Sequence, residues 1–174
     1  MKLKKYKFKK VQSTNDIALR LIELGKLNGA ILTEYQTKGR GQRGNKWISK
    51  KGNLFMTIFF EINKKLSIKK ITSLNILLIK KIISKQIKSE ITTKLPNDIL
   101  VDKKKVCGIL QEIYFKNNIK FLVLGIGINI INSPNVIKYE TTCLNNYSKK
   151  KINKIKLFNE IKLNYERNLK FFKK

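Results

Sequence analysis

The chain has 174 residues, enough for one domain with its own core and short for two. Hydrophobic residues make up 42 %, which excludes a disordered chain despite 39 Lys+Arg against 11 Asp+Glu and a formal net charge of +28. There is no histidine, which removes Ser-His-Asp and Cys-His catalysis, His-ligated zinc and a histidine general base.

Residues 4–10 alternate Tyr6 and Phe8 with lysine and predict an edge strand whose charges discourage aggregation. Ser13-Thr14-Asn15-Asp16 then opens an apolar pattern at Ile17, Leu21 and Leu24 that Gly25 closes, the signature of a capped amphipathic helix. A strand over 30–36 runs into a loop holding Gly39, Gly41, Gly44 and Gly52, and the chain returns as a strand over 54–60. Residues 67–89 carry apolar side chains at helical spacing (Ile68, Ile71, Leu74, Leu78, Ile82) and predict a long central helix. Four strand-like segments follow at 94–96, 99–101, 106–115 and 119–131, with a hairpin turn at Asp102-Lys103-Lys104. Residues 134–151 read as irregular and 152–172 as a terminal helix. The expected fold is a single α/β or α+β domain, a mixed sheet flanked by helices, without repeats or linkers.

Only four of the basic residues are arginine (Arg20, Arg40, Arg43, Arg167). Readers of phosphate and nucleic acid favour the planar guanidinium, so an even spread of lysine reads first as a solvated surface. Cys107 and Cys143 lie far apart with no Cys-x-x-Cys pairing; they are expected as small core residues, not as a disulfide or a metal site. The N-terminus is basic without the apolar run of a signal peptide, and no stretch is apolar enough to span a bilayer. The expected setting is the cytoplasm, with no membrane association.

Three segments carry chemistry. Residues 38–47, Lys-Gly-Arg-Gly-Gln-Arg-Gly-Asn-Lys-Trp, combine three glycines with Arg40, Arg43 and the sole tryptophan. Glycines let backbone N–H groups approach a ligand, and arginines neutralise phosphate or carboxylate oxygens. This is not a Walker loop, for no Gly-Lys-Ser/Thr ends it and no helix follows. Lys94 precedes the Pro96 turn of Lys94-Leu95-Pro96-Asn97-Asp98, where an extended backbone can aim a lysine into a cleft. Gly125-Ile126-Gly127-Ile128-Asn129 reads as a strand whose glycines make room for a ligand against the backbone.

Together with Ser13-Thr14-Asn15 and Gly108-Ile109-Leu110, these motifs resemble, in order and spacing, those of biotin protein ligases over residues 6–132. The resemblance implies a class II synthetase-like domain that joins biotin and ATP into biotinyl-5′-adenylate and passes biotin to a lysine of a biotin carboxyl carrier protein. It implies that Ser13, Thr14, Asn15, Gln36, Gly39, Arg40, Gly41, Gln42, Trp47, Lys94 and Gly108 meet biotin. Arg40, Arg43, Lys94, Asn97 and Asn129 would meet ATP or the adenylate, with Lys94, Arg40 and Arg43 as the catalytic cations. Magnesium would arrive with ATP, with no tightly bound cofactor and no metal held by the protein itself. A monomer or a homodimer fits equally.

Gln42 stands where many members of that family carry arginine, Asn45 where they are often basic, and Leu95 where they usually have tryptophan. The first two imply a less positive loop, the last a repacked wall. The family's DNA-binding winged helix and C-terminal β-barrel are expected to be absent, which would leave one catalytic domain over 1–174 and no DNA partner. A lipoate or octanoate ligase of the same fold is the nearest alternative, although its Arg-Arg-x-Ser-Gly-Gly-Gly loop does not match residues 38–47. A basic nucleic-acid-binding module, the other alternative, would need an arginine-rich face with exposed aromatics.

Overall fold

A computed structural model describes residues 1–173. Seven strands form one mixed sheet in the order β1-β2-β3-β7-β6-β5-β4. They are β1 (Lys5–Val11), β2 (Asn28–Gln36), β3 (Leu54–Glu61), β4 (Ile91–Lys94), β5 (Asp98–Val101), β6 (Lys104–Lys116) and β7 (Ile119–Ile128). β1 and β2 are parallel, joined across the sheet by helix α1 (Thr14–Glu23); every other pairing is antiparallel.

The lysine-studded β1 is the edge strand its sequence predicts. Helix α1 ends at Gly25 (φ 78°), whose N–H donates to Ile22 O while Lys26 N–H donates to Leu21 O, a glycine-terminated cap. At its start the backbone of Ser13 occupies the cap position, but its side chain makes no capping bond. The segment 94–96 is not a strand: β4 ends at Lys94, and Leu95-Pro96-Asn97 forms the turn into β5, with the Leu95–Pro96 bond cis. The other two hairpin turns of this half, β5 to β6 and β6 to β7, use two consecutive non-glycine residues at positive φ, Asp102-Lys103 and Asn117-Asn118.

The central helix is shorter than 67–89. α2 spans Ile68–Ile83, capped by Ser67 Oγ accepting from Lys70 N–H. The apolar pattern outlasts it because tightened turns after Ile83 fold Ile87 back into the core. The terminal helix is likewise two pieces, α3 (Lys154–Asn168) and α4 (Lys170–Lys173), with Asn153 Oδ1 capping α3 at the N–H groups of Ile155 and Lys156.

β3 shows how one strand serves two layers. Leu54, Met56, Ile58 and Phe60 join the large core under α2 and α3, while Phe59 joins the smaller core under α1. Thr57 lies on the α1 side, a buried hydroxyl in a central strand facing Thr14 and Asn15. Cys107 and Cys143 are both buried and free, as expected of small core residues. No helix among the described residues is long and apolar enough to cross a membrane.

Candidate active site

On the α1 side of the sheet, antiparallel register places Gly108 beside Gly127, Leu110 beside Gly125, and Thr57 on the other side of Gly125. Three glycines on adjacent strands hollow this face. The room is taken by the protein's own side chains: a β-carbon at Gly108 would stand 2.5 Å from Trp47 Cζ3, and one at Gly125 2.5 Å from Asn15 Oδ1. Gly108, Gly125 and Gly127 also border the open cleft beside these side chains. They seat the Trp47 ring and the Asn15 amide, which then form the wall.

Above this wall lies a cleft of about 520 Å³. Ser13, Thr14, Asn15 and Gln36 line one end. Gln36 Oε1 accepts from the Thr14 N–H (2.8 Å) and lies 3.0 Å from the Thr14 hydroxyl, and Thr57 Oγ1 lies 2.8 Å from Thr14 Oγ1 and 2.6 Å from Asn15 Oδ1. Four polar residues are thus joined in a row by hydrogen bonds, three of them on the cleft wall.

The glycine-rich loop folds back on itself. Gly41 N–H donates to Asn45 O, Trp47 N–H donates to Gly39 O, and Arg40 bridges to Lys46. Arg40, Gly41, Gln42, Arg43 and Trp47 border the cleft. Gly39 does not: it is buried beneath the loop, where a β-carbon would stand 2.5 Å from Trp47 O.

Arg40 is not the free cation its sequence context suggests. Its Nη1 and Nη2 donate to the two oxygens of Glu112 at 2.8 and 2.9 Å, and Nη2 also lies 2.9 Å from Asp16. Its Nε and the indole Nε1 of Trp47 are buried without a hydrogen-bond partner. Arg43 (φ 54°) is exposed at the loop tip.

Lys94, Asn97 and Gly108 border the opposite side, with Lys94 exposed at the rim. The more enclosed cation is Lys105. Its ammonium lies 2.8 Å from Asp98 Oδ1 and over the rings of Trp47 (5.6 Å) and Tyr139 (5.0 Å). Neither Lys105, Glu112 nor Tyr139 stands out in the sequence. The irregular segment after Pro134 also borders the cleft through Val136, Lys138, Tyr139 and Thr141. Asn129 is buried at the cleft floor, and its amide already donates to Thr142 O (3.1 Å), tying that segment to β7. Behind Gly108, burial pushes the Cys107 thiol far above the ordinary thiol range, only partly offset by Lys105, so it is no nucleophile. Among the described residues no cluster of three His, Cys, Asp or Glu could hold a metal ion.

A family model described as the biotin/lipoate A/B protein ligase family matches residues 7–129. The bifunctional ligase/repressor BirA of Escherichia coli is 33 % identical over 123 residues, which is 69 % of this chain and 38 % of that protein. BirA of Bacillus subtilis is 28 % identical over 144 residues, 79 % of this chain and 44 % of its own length. The chain thus spans less than half of these curated relatives. Biotin protein ligase from Aquifex aeolicus in complex with biotin and ATP superposes with a TM-score of 0.81 at 28 % identity, covering 98 % of this chain and 72 % of that one. The Leishmania major enzyme in complex with biotinyl-5-AMP does so with 0.81 at 25 %, covering 98 % and 76 %. A family match over most of the chain, on the motifs that converge on this cleft, means that the chain belongs to the biotin/lipoate A/B protein ligase family.

Proposed function

We propose that this chain activates biotin with ATP and transfers the biotin to a lysine of a carrier protein. The observation that carries the reading is convergence: Ser13, Gln36, the 40–47 loop, Lys94, Gly108 and Asn129, far apart in sequence, all border one cleft. Relatives of the same fold are described with biotin, ATP and biotinyl-5-AMP.

In the first step a biotin carboxylate oxygen bonds to the α-phosphorus of ATP, the bond from that phosphorus to the β-phosphate bridging oxygen breaks, and pyrophosphate leaves. Two anions must approach, and charge builds on the phosphoryl oxygens. A fixed cation lowers both costs because it needs no reorganisation when the charge develops. Lys105 is a more enclosed cation than Arg40 or Lys94, held by Asp98 and two rings, and Lys94 assists from the rim. The two buried donors without partners, Arg40 Nε and Trp47 Nε1, suit acceptor oxygens of the adenylate. Asn129 has a second amide hydrogen for the adenine edge. Magnesium enters with ATP as part of the substrate and offsets the triphosphate charge. In the second step the carrier's lysine amine attacks the acyl carbon, AMP departs and the amine loses a proton.

The polar row of Gln36, Thr14, Thr57 and Asn15 suits a ureido ring, whose buried N–H and C=O groups need partners. The acceptor is read as an acidic biotin carboxyl carrier domain and the setting as the cytoplasm. The test is one incubation with biotin, ATP, magnesium and a biotin-domain acceptor, with lipoate and single-stranded DNA as separate arms. Biotin-dependent pyrophosphate release and acceptor biotinylation are expected. Lipoylation without biotinylation would shift the reading to the other branch of the family.

A further inference from the structure

Glu112 lies on β6, and both carboxylate oxygens are engaged at the cleft. Oε1 accepts from Arg40 Nη1 at 2.8 Å; Oε2 accepts from Arg40 Nη2 at 2.9 Å and from Asn15 Nδ2 at 2.6 Å. A carboxylate only accepts, so the side of the Asn15 amide that faces Glu112 must be the NH₂ group. The amide oxygen is then forced the other way, toward Thr57 Oγ1 at 2.6 Å.

That orientation decides the hydrogen-bonding character of the whole row. Asn15 Oδ1 and Gln36 Oε1 are acceptors at its two ends, with the hydroxyls of Thr57 and Thr14 between them. The row has three side-chain contacts and only two hydroxyl protons to fill them. Gln36 Oε1 is already supplied by the Thr14 N–H, and with Thr57 donating to Asn15 no hydroxyl points at Thr14 Oγ1, so that oxygen stays open on the cleft wall to accept an N–H from a ligand. With the amide turned over, Asn15 would donate to Thr57, Thr57 to Thr14 and Thr14 to Gln36. The Thr14 oxygen would then be occupied by the Thr57 hydroxyl and less open to a donor from outside.

We propose, building on biotin activation as the function, that Glu112 is a positioning residue. By fixing the Asn15 amide with its oxygen inward, it keeps the biotin wall acceptor-rich and so sets the site's preference for a ligand with ureido N–H groups. The same carboxylate anchors Arg40, which makes the glycine-rich loop and the ligand wall share one support.

Glu112→Gln removes the constraint, because a glutamine can present its own NH₂ to Asn15 and let that amide turn over. The experiment is a cycle of native protein, Glu112→Gln, Asn15→Ala and the double variant, followed by biotin-dependent ATP–pyrophosphate exchange. Expected for Glu112→Gln is a biotin KM raised about 10-fold or more, while any change in kcat or in the ATP KM, which would pass through Arg40, is the same with and without the Asn15 amide. In the Asn15→Ala background the same substitution should change the biotin KM less than about 2-fold, since the group it acts through is gone. An equal effect in both backgrounds, or a fall in kcat at unchanged biotin KM, would overturn the proposal and assign Glu112 to the loop alone. Should Glu112→Gln fail to fold, Glu112→Asp, too short to reach Asn15 and Arg40 together, runs the same cycle with the same expectations. Native protein without biotin-dependent exchange overturns the underlying function, whereas an active native protein with an additive cycle overturns only the positioning role.

Discussion

Lys105 Nζ lies 2.8 Å from Asp98 Oδ1, with the two side chains only 13 % and 18 % exposed. The pair joins neighbouring strands β5 and β6 at the cleft. The rings of Trp47 and Tyr139 flank the same ammonium, so a charge that would otherwise swing in solvent is held in one place.

Two lysines therefore compete for the catalytic assignment, and substitution separates them. Lys105→Ala should lower biotin-dependent pyrophosphate exchange about 10²-fold or more, the scale of removing one preorganised electrostatic donor. Lys94→Ala, at the exposed rim, should cost less than about 10-fold, as screened charges do. The reverse ranking would return the role to Lys94, where the Pro96 turn first suggests it.

This contrast marks how far the sequence is legible. Ser13 to Asn15, the glycine-rich loop and the Lys94 turn are recognisable because unusual residue types cluster within a few positions. Lys105 is the third of three consecutive lysines in a lysine-rich chain, and only the register of β5 on β6 sends it to Asp98. Glu112 is 97 residues from Asn15 and 72 from Arg40, a contact made by sheet topology and invisible to local pattern. The 134–151 segment carries no periodicity to read, yet Tyr139 closes over Lys105. The glycines are legible as small, but not what fills the space they leave.

Trp47 is the sole tryptophan, and its ring rests on Gly108 and Gly127. A β-carbon at Gly127 would collide with that ring, and the strand backbone there can accept alanine without strain. Gly127→Ala should expel the ring into solvent, shift tryptophan emission to the red and raise the biotin KM. Unchanged emission with a normal KM would mean that the ring does not form the wall in solution.

Burial holds both Cys107 and Tyr165 in their neutral forms, their pKa values raised above the ordinary ranges. In the unfolded chain the thiol ionises near about pH 8.5, so above that pH the unfolded state binds fewer protons than the folded state. The Cys107 contribution is whole below that point and is lost as pH rises, at a limiting slope of about 1.4 kcal/mol per pH unit. Unfolding free energy measured by denaturant from pH 7.5 to 9.5 should fall for the native protein and fall less steeply for Cys107→Ala. Parallel curves would show that the thiol titrates equally in both states.

On the proposed function, the net charge of +28 should bear on the second half-reaction more than the first. Most of it is lysine spread over the surface, where a Debye length of about 8 Å at physiological ionic strength screens each charge from distant ones. On that reading, ATP and biotin would meet the enclosed cluster around Lys105, whose short-range contacts salt weakens little. A folded acceptor is different: it approaches across the whole charged face, and complementary surfaces raise such on-rates about 10-fold or more at low salt. Raising salt from low to physiological strength should therefore slow biotin transfer to an acidic acceptor domain, while pyrophosphate exchange changes less. The two steps are measured separately, by exchange without acceptor and by single-turnover transfer from preformed biotinyl-adenylate. Equal salt dependence of both would mean that the charge acts on the nucleotide and not on the acceptor.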